Sequence, residues 1–247
     1  MKIIQIHLQK NQLIKILALA LAFGCAVGWG MHKIQRASQA TGALLAARSG
    51  TPALLLDAGH GGEDGGAVGV DGTIEKEINL PVAQKLEIYL RALGYQTEMT
   101  RREDKAIYDP SAKTLREKKV SDIHNRFALL EQMGENALFI SIHQNHFTGE
   151  KYHGTQVFYS KNNPLSQALA KAVQAQAVAQ LQPENTRQAK PSGTEIYLLW
   201  HAQIPAVLVE CGFISNYAET QKLKQVDYQN KMAFSIACGV LDYTSAE

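Results

Sequence analysis

Cysteine is scarce. The 247 residues contain three, Cys25, Cys211 and Cys238, too widely spaced for a disulfide framework or a paired thiolate zinc site. Any metal must therefore be held by histidine and carboxylate. Charge of one sign is also scarce: a formal net charge of +2, with basic residues scattered along the chain, excludes the cationic stripe of a nucleic-acid binder, so DNA and RNA are not expected partners. There is no internal repeat. The glycine-rich stretch after residue 57 lacks both the G-x-G-x-x-G spacing and a GK[ST] ending, which argues against a phosphate-binding loop. What is present, 45% hydrophobic and 19% charged residues, suffices for one globular domain with a short appendage.

The appendage is the N-terminus. Residues 17–31 (LALALAFGCAVGWGM) are uncharged and follow Lys2, Lys10 and Lys15. The run is shorter than the roughly 20 residues that span a bilayer, but Leu13, Ile14 and a snorkelling Lys15 extend it to adequate length. No A-x-A stop follows, and Trp29 and Met31 sit where a cleavage site needs small residues. Residues 1–31 are thus expected to form an uncleaved membrane anchor, with a cleaved signal peptide as the rival. Cys25 is read as a membrane-buried thiol. The basic flank keeps the N-terminus inside and places the bulk of the protein outside. Residues 32–50 suit a linker, and residues 51–247 the folded domain.

Within that domain apolar strands alternate with helical periodicity. Strands are expected at 53–57 (ALLLD), 95–100, 137–142 (ALFISI), 154–160 and 205–210 (PAVLVE). Helices are expected at 79–93, with Pro81 in the first turn, and at 121–133, 165–181 and 228–243. This order predicts an α/β domain with a mixed, largely parallel twisted sheet flanked by helices on both faces.

In open α/β sheets the ligand crevice lies beyond the carboxyl ends of the strands. Three of those ends carry polar residues. His60 follows the first strand, His143-Gln144-Asn145 follows ALFISI, and Glu210 ends PAVLV. A catalytic zinc takes three protein ligands and keeps one position for water, so two histidines call for one carboxylate. Glu75, after the glycine-rich loop 61–73, is the first choice, with Glu63, Asp64, Asp71 and Glu77 as rivals. Glu210 suits either a ligand or a general base. Arg126, on the inner face of its helix, is expected to orient a carboxylate or contact substrate. His146 is the alternative imidazole ligand. Cys211 and Cys238 follow apolar patterns and read as core thiols.

Three motifs, Asp57-Ala58-Gly59-His60-Gly61-Gly62-Glu63-Asp64-Gly65-Gly66-Ala67 with Glu75-Lys76 downstream, Ser141-Ile142-His143-Gln144-Asn145, and Val209-Glu210-Cys211-Gly212-Phe213-Ile214-Ser215-Asn216, occur in that order. On them the domain resembles the zinc-dependent N-acetylmuramoyl-L-alanine amidases of the amidase-3 family, over about residues 54–243. The resemblance implies Zn²⁺ held by His60, Glu75 and His143, with Glu210 as the catalytic carboxylate; Asn145, two residues past His143, is expected at the substrate, as is Arg126 in the second of its two roles. It implies hydrolysis of the amide between N-acetylmuramic acid and L-alanine in peptidoglycan. The short N-terminal anchor and the segment Asn185-Thr186-Arg187-Gln188-Ala189-Lys190 with Ile196-Tyr197-Leu198 are similar to the germination-specific, spore-cortex subgroup. That likeness implies a role in cortex maturation through muramic lactam formation, in the forespore intermembrane space, with an activating protein left unspecified. Ala58 replaces a frequent proline, and His146-Phe147 is bulkier than the family's usual residues there. Ser160 runs almost directly into the helix at 165, which leaves no room for an autoinhibitory insertion and implies an open site. Two rival readings stand beside this one: a metal-free muropeptide-binding wall protein, and a zinc peptidase of the stem.

Overall fold

Strand β1 (Ala53–Ala58) is buried along nearly all its length because both sheet faces are covered there. The computed structural model describes residues 50–246. The expected anchor and nearly all of the linker lie outside these residues. Among the described residues no helix is long and apolar enough to cross a membrane. Gly50–Glu247 forms one compact unit.

β1 pairs in parallel with β2 (Thr97–Met99) on one side and with β3 (Ala137–Asn145) on the other. β3 pairs in parallel with β6 (Ala206–Phe213), and β6 pairs antiparallel with β4 (Gln156–Tyr159). The two-residue β5 (Lys190–Pro191) closes the order β2-β1-β3-β6-β4-β5. This is the mixed, largely parallel sheet that the strand and helix pattern predicts.

The period-2 alternation of the strands divides their side chains between two cores. Leu54, Leu56, Ile140, Ile142, Val207 and Val209 face α1 (Glu75–Ala92), α3 (Leu165–Leu181) and α6 (Val226–Ser245). Leu55, Phe139, Ala206 and Leu208 face α2 (Leu115–Gln132) and the short α4 (Tyr197–His201). A further short helix, α5 (Tyr217–Leu223), follows β6 and is N-capped by Asn216.

Element boundaries depart from expectation in informative ways. α1 begins at Glu75, so Pro81 lies inside the helix and not in its first turn. Glu75 and Glu77 occupy that first turn, where the macrodipole favours acidic residues. α2 begins six residues before its expected start, behind a Thr114–Glu117 capping box. β3 and β6 run on to Asn145 and Phe213, which carries His143 within a strand instead of just beyond one, and Glu210 inside its strand instead of at the end.

Candidate metal centre and active site

β1 and β3 are neighbours whose chains leave in opposite directions, β1 toward β2 and β3 toward β4 and β6. That is the switch point at which an open sheet forms a crevice. His60 leaves β1 there with φ of 62°, the one non-glycine residue at positive φ among those described. Such a conformation costs roughly 1–2 kcal/mol and persists where surroundings impose it. Arg126 supplies part of that imposition: it donates to the His60 carbonyl (2.7 Å) and the Ala58 carbonyl (2.9 Å). Arg101 donates to the carbonyls of Ala58 (2.8 Å) and Gly59 (3.0 Å).

Glu75, the first residue of α1, is turned inward and 3% exposed. Its carboxylate accepts from the Ala67 amide (2.9 Å), the Gln144 amide (3.0 Å) and Asn79 Nδ2 (3.2 Å). His60 Nε2 lies 3.2 Å from one of its oxygens and His143 Nδ1 2.9 Å from the other. One ligand atom from each of His60, Glu75 and His143 falls within 4.8 Å of the others, a group that could hold a metal ion. A Cβ at Gly59 would collide with the His143 ring, and one at Gly66 with both Glu75 and His60, so two glycines leave the space this cluster needs. The donor set of two imidazoles and a carboxylate fits a catalytic metal with an open position. Burial works against a charge on His60, yet its hydrogen bonds to Asp64 and Glu75 lift its pKa to about 9. The pocket therefore favours positive charge.

The rival carboxylates have other partners. Asp64 holds the far nitrogen of His60 (Nδ1, 2.8 Å) and is itself paired with Lys119, the outer-shell arrangement common behind metal-binding histidines. Glu63 pairs with Lys118, and Asp71 with Lys224. Glu77 and the alternative imidazole His146 are not part of the cluster.

Glu210 stands opposite His143 in the β3–β6 register, which slips between His143 and Asn145. Irregularities of this kind re-aim side chains next to active sites. Its Oε2 is sealed from solvent and has no hydrogen-bond partner among the described residues. Burial pushes its carboxyl up to about 7, with the His143 imidazole opposing the shift. Between α2 and α4 opens a cavity of about 340 Å³ lined by His60, His143 and Glu210 together with the apolar Ile123, Phe139 and Leu208. Asn145, half-buried, offers a side chain with no hydrogen bond among the described residues.

Arg126 takes the first of its two expected roles. It is 2% exposed, and besides the two carbonyls it binds Asp57 (2.5 Å) and Asp122 (2.7 Å). With these bonds it orients the Asp57 carboxylate and the His60 loop, and it also lines the cavity beside Glu210. Burial pushes the Asp57 carboxyl up, but Arg126, His143, Ser141 and Thr100 together hold it at about 2. Arg101, Asn79 and Lys119 were not singled out in the sequence. For Arg101 the signal was its place just beyond a strand end.

The profile of the amidase-3 family, described as N-acetylmuramoyl-L-alanine amidase, matches residues 54–242. The chain belongs to this family. It is similar to the germination-specific N-acetylmuramoyl-L-alanine amidase of Bacillus subtilis, 36% identical over 190 residues that cover 77% of this chain and 78% of that protein. Among solved structures it resembles the CwlD amidase of Clostridioides difficile, determined in complex with the GerS lipoprotein. That match has 38% identity and a TM-score of 0.76, covering 80% of this chain and 100% of that one. The catalytic domain of CwlV from Bacillus (Paenibacillus) polymyxa matches at 28% identity and a TM-score of 0.65, covering 80% and 100%. The amidase hydrolyses the bond between N-acetylmuramic acid and L-alanine, its substrate is peptidoglycan, and like other cell-wall amidases it acts outside the cytoplasm.

Proposed function

We propose that this amidase uses Zn²⁺ held by His60, Glu75 and His143, with Glu210 as its catalytic base and Asn145 at the substrate. The observation that carries this reading is the buried, unpartnered Oε2 of Glu210 directly across from the His143 strand position. A buried carboxylate oxygen without a partner is costly unless a ligand or reacting group completes it. When bound, Zn²⁺ supplies a Lewis acid that activates water and polarises the lactyl carbonyl. Glu210 takes the proton of the attacking water on its carboxylate and returns it to the nitrogen of the departing L-alanine. Asp64 holds the His60 ring in one orientation, and the Ala67 and Gln144 amides fix the Glu75 carboxylate. The products are a stem peptide with a free L-alanine amine and a glycan strand bearing lactyl groups.

The likeness to the germination-specific relative supports work on spore-cortex peptidoglycan, on the route to muramic lactam. Residues 1–31 are proposed to anchor the protein on the outer face of the cytoplasmic membrane, as in a forespore intermembrane space, with 32–50 as the tether and 51–247 as the catalytic domain. The relative whose structure was determined in complex with a lipoprotein supports a protein partner here as well.

The test is mass spectrometry of peptidoglycan digested by the full-length protein, with and without added zinc, beside Glu210→Gln. The expected products are peptides beginning at L-alanine, formed only with zinc and lost in the variant. Fragments that leave L-alanine on muramic acid would establish a peptidase instead. Retention of uncut muropeptide by a protein without zinc would establish a binding protein.

A further inference from the structure

The two strands that carry His143 and Glu210 continue into a second feature. Beyond that pair, Asn145 faces Phe213, and the Ile214 amide donates to the Asn145 carbonyl (2.7 Å). Four residues past His143, Phe147 is 54% exposed. Single exposed apolar residues are ordinary on protein surfaces. This one is different in how it is held. Its ring stands edge-on to Tyr152, with centroids 4.8 Å apart, and Tyr152 stacks on Phe213 at 6.1 Å and 28°. Phe213 is 3% exposed, and the Arg187 guanidinium lies 4.5 Å over its ring. The connecting loop is braced as well. The Phe147 amide donates to Ser215 Oγ (3.2 Å), Asn216 Nδ2 to the Glu150 carbonyl (2.5 Å), and Arg187 Nε to the His153 carbonyl (2.8 Å). A column of rings rooted in the core thus ends in one presented to solvent. At about 3.4 Å per residue, its Cα lies no more than about 14 Å from that of His143.

We propose that Phe147, on its Tyr152–Phe213 column, is a saccharide subsite that takes a pyranose ring of the glycan strand beside the muramic acid being cleaved. This inference rests on the amidase reading, because cleavage at the lactyl amide obliges the sugar chain to pass close to Glu210. The cavity between α2 and α4 mixes apolar residues such as Phe139 and Leu208 with His60, His143 and Glu210, so it takes the bond being cleaved and leaves the neighbouring sugars of the strand to the rim outside it. The open rim at Phe147 suits those sugars. A pyranose has one face lined with C–H bonds, which packs on the electron-rich face of an aromatic ring. Its hydroxyl edge can then reach the ammonium of Lys151, which lies 5.2 Å from the Tyr152 centroid, or the free amide of Asn145. A rigidly held ring loses little entropy on binding.

The experiment compares the full-length protein with Phe147→Ala and Phe147→Trp in two assays. The first is binding of peptide-free glycan strands of alternating N-acetylglucosamine and N-acetylmuramic acid, which carry no cleavable amide. The second is the ratio of KM for peptide-bearing strands to KM for a single N-acetylmuramoyl peptide. Phe147→Ala is expected to weaken glycan binding on the order of tenfold and to raise the KM ratio similarly, while Phe147→Trp preserves both. Unchanged glycan affinity in a folded Phe147→Ala protein would overturn the proposal, as would equal KM changes on the two substrates. The two readings fail separately. Phe147-dependent glycan binding by a wild-type protein that releases no L-alanine peptides keeps the subsite and removes the amidase.

Discussion

The two faces of the sheet are covered unequally. On one, three long helices, α1, α3 and α6, seal a continuous apolar core in which Leu86, Val173 and Ile236 are fully buried. On the other, α2 and the five-residue α4 cover only part of the strands. There the buried Arg126–Asp57 pair and the cavity under Glu210 take the place of apolar packing. The first face provides the burial that folds the chain. The second spends stability on cavities, charges and an unpartnered carboxylate oxygen, which is what a reacting site requires.

The largest effect that would sharpen this division is catalytic. Glu210→Gln is expected to lower kcat by roughly 10²- to 10⁴-fold, in line with loss of a general base. Its melting temperature should stay close to wild type, as differential scanning fluorimetry can check. A large fall in melting temperature would mean that Glu210 supports the fold.

Next in size is Arg126→Met, which strands Asp57 as a buried charge and is expected to cost about 3–5 kcal/mol in denaturant unfolding. The acid limb should change with it. Asp57 sits at about 2 in the fold against its ordinary 3.8, so its contribution is present above about pH 4 and disappears as pH falls toward 2. In Arg126→Met that acid-induced loss should shrink, because Asp57 no longer has a cation to hold it ionised. An unchanged acid limb would show that the pair does not set it.

Leu86→Ala, in the sealed core, is expected to cost about 2–5 kcal/mol while leaving kcat per folded molecule intact. If kcat fell with stability, the separation between a folding face and a reacting face would collapse. Smallest of all, Lys118→Ala removes an ion pair with the exposed Glu63 at the edge of the site and should change stability by no more than about 1 kcal/mol.

Much of this architecture is legible in the chain. The helix expected at 165–181 is the helix observed, because its apolar residues keep a helical period throughout. The strand cores were legible for the same reason. Residues 115–120 were not, since LREKKV is exposed and carries no apolar stripe, although its Thr114–Glu117 capping box is a readable start signal. α4 and α5 are too short for any period to register, and β5 exists only because β4 offers it an edge.

At the site, the scarcity of cysteine determined that histidine and carboxylate would form any metal cluster, and the strand ends brought His60, His143 and Glu210 forward as candidates. Spacing left six carboxylates in contention, Glu210 among them. Only the tertiary structure turned Glu75 toward both imidazoles, set Asp64 behind His60, and moved Arg126 beneath the loop. These are proximities between residues as much as 69 positions apart, such as Arg126 and Asp57, and packing of whole elements, not local propensity, creates them.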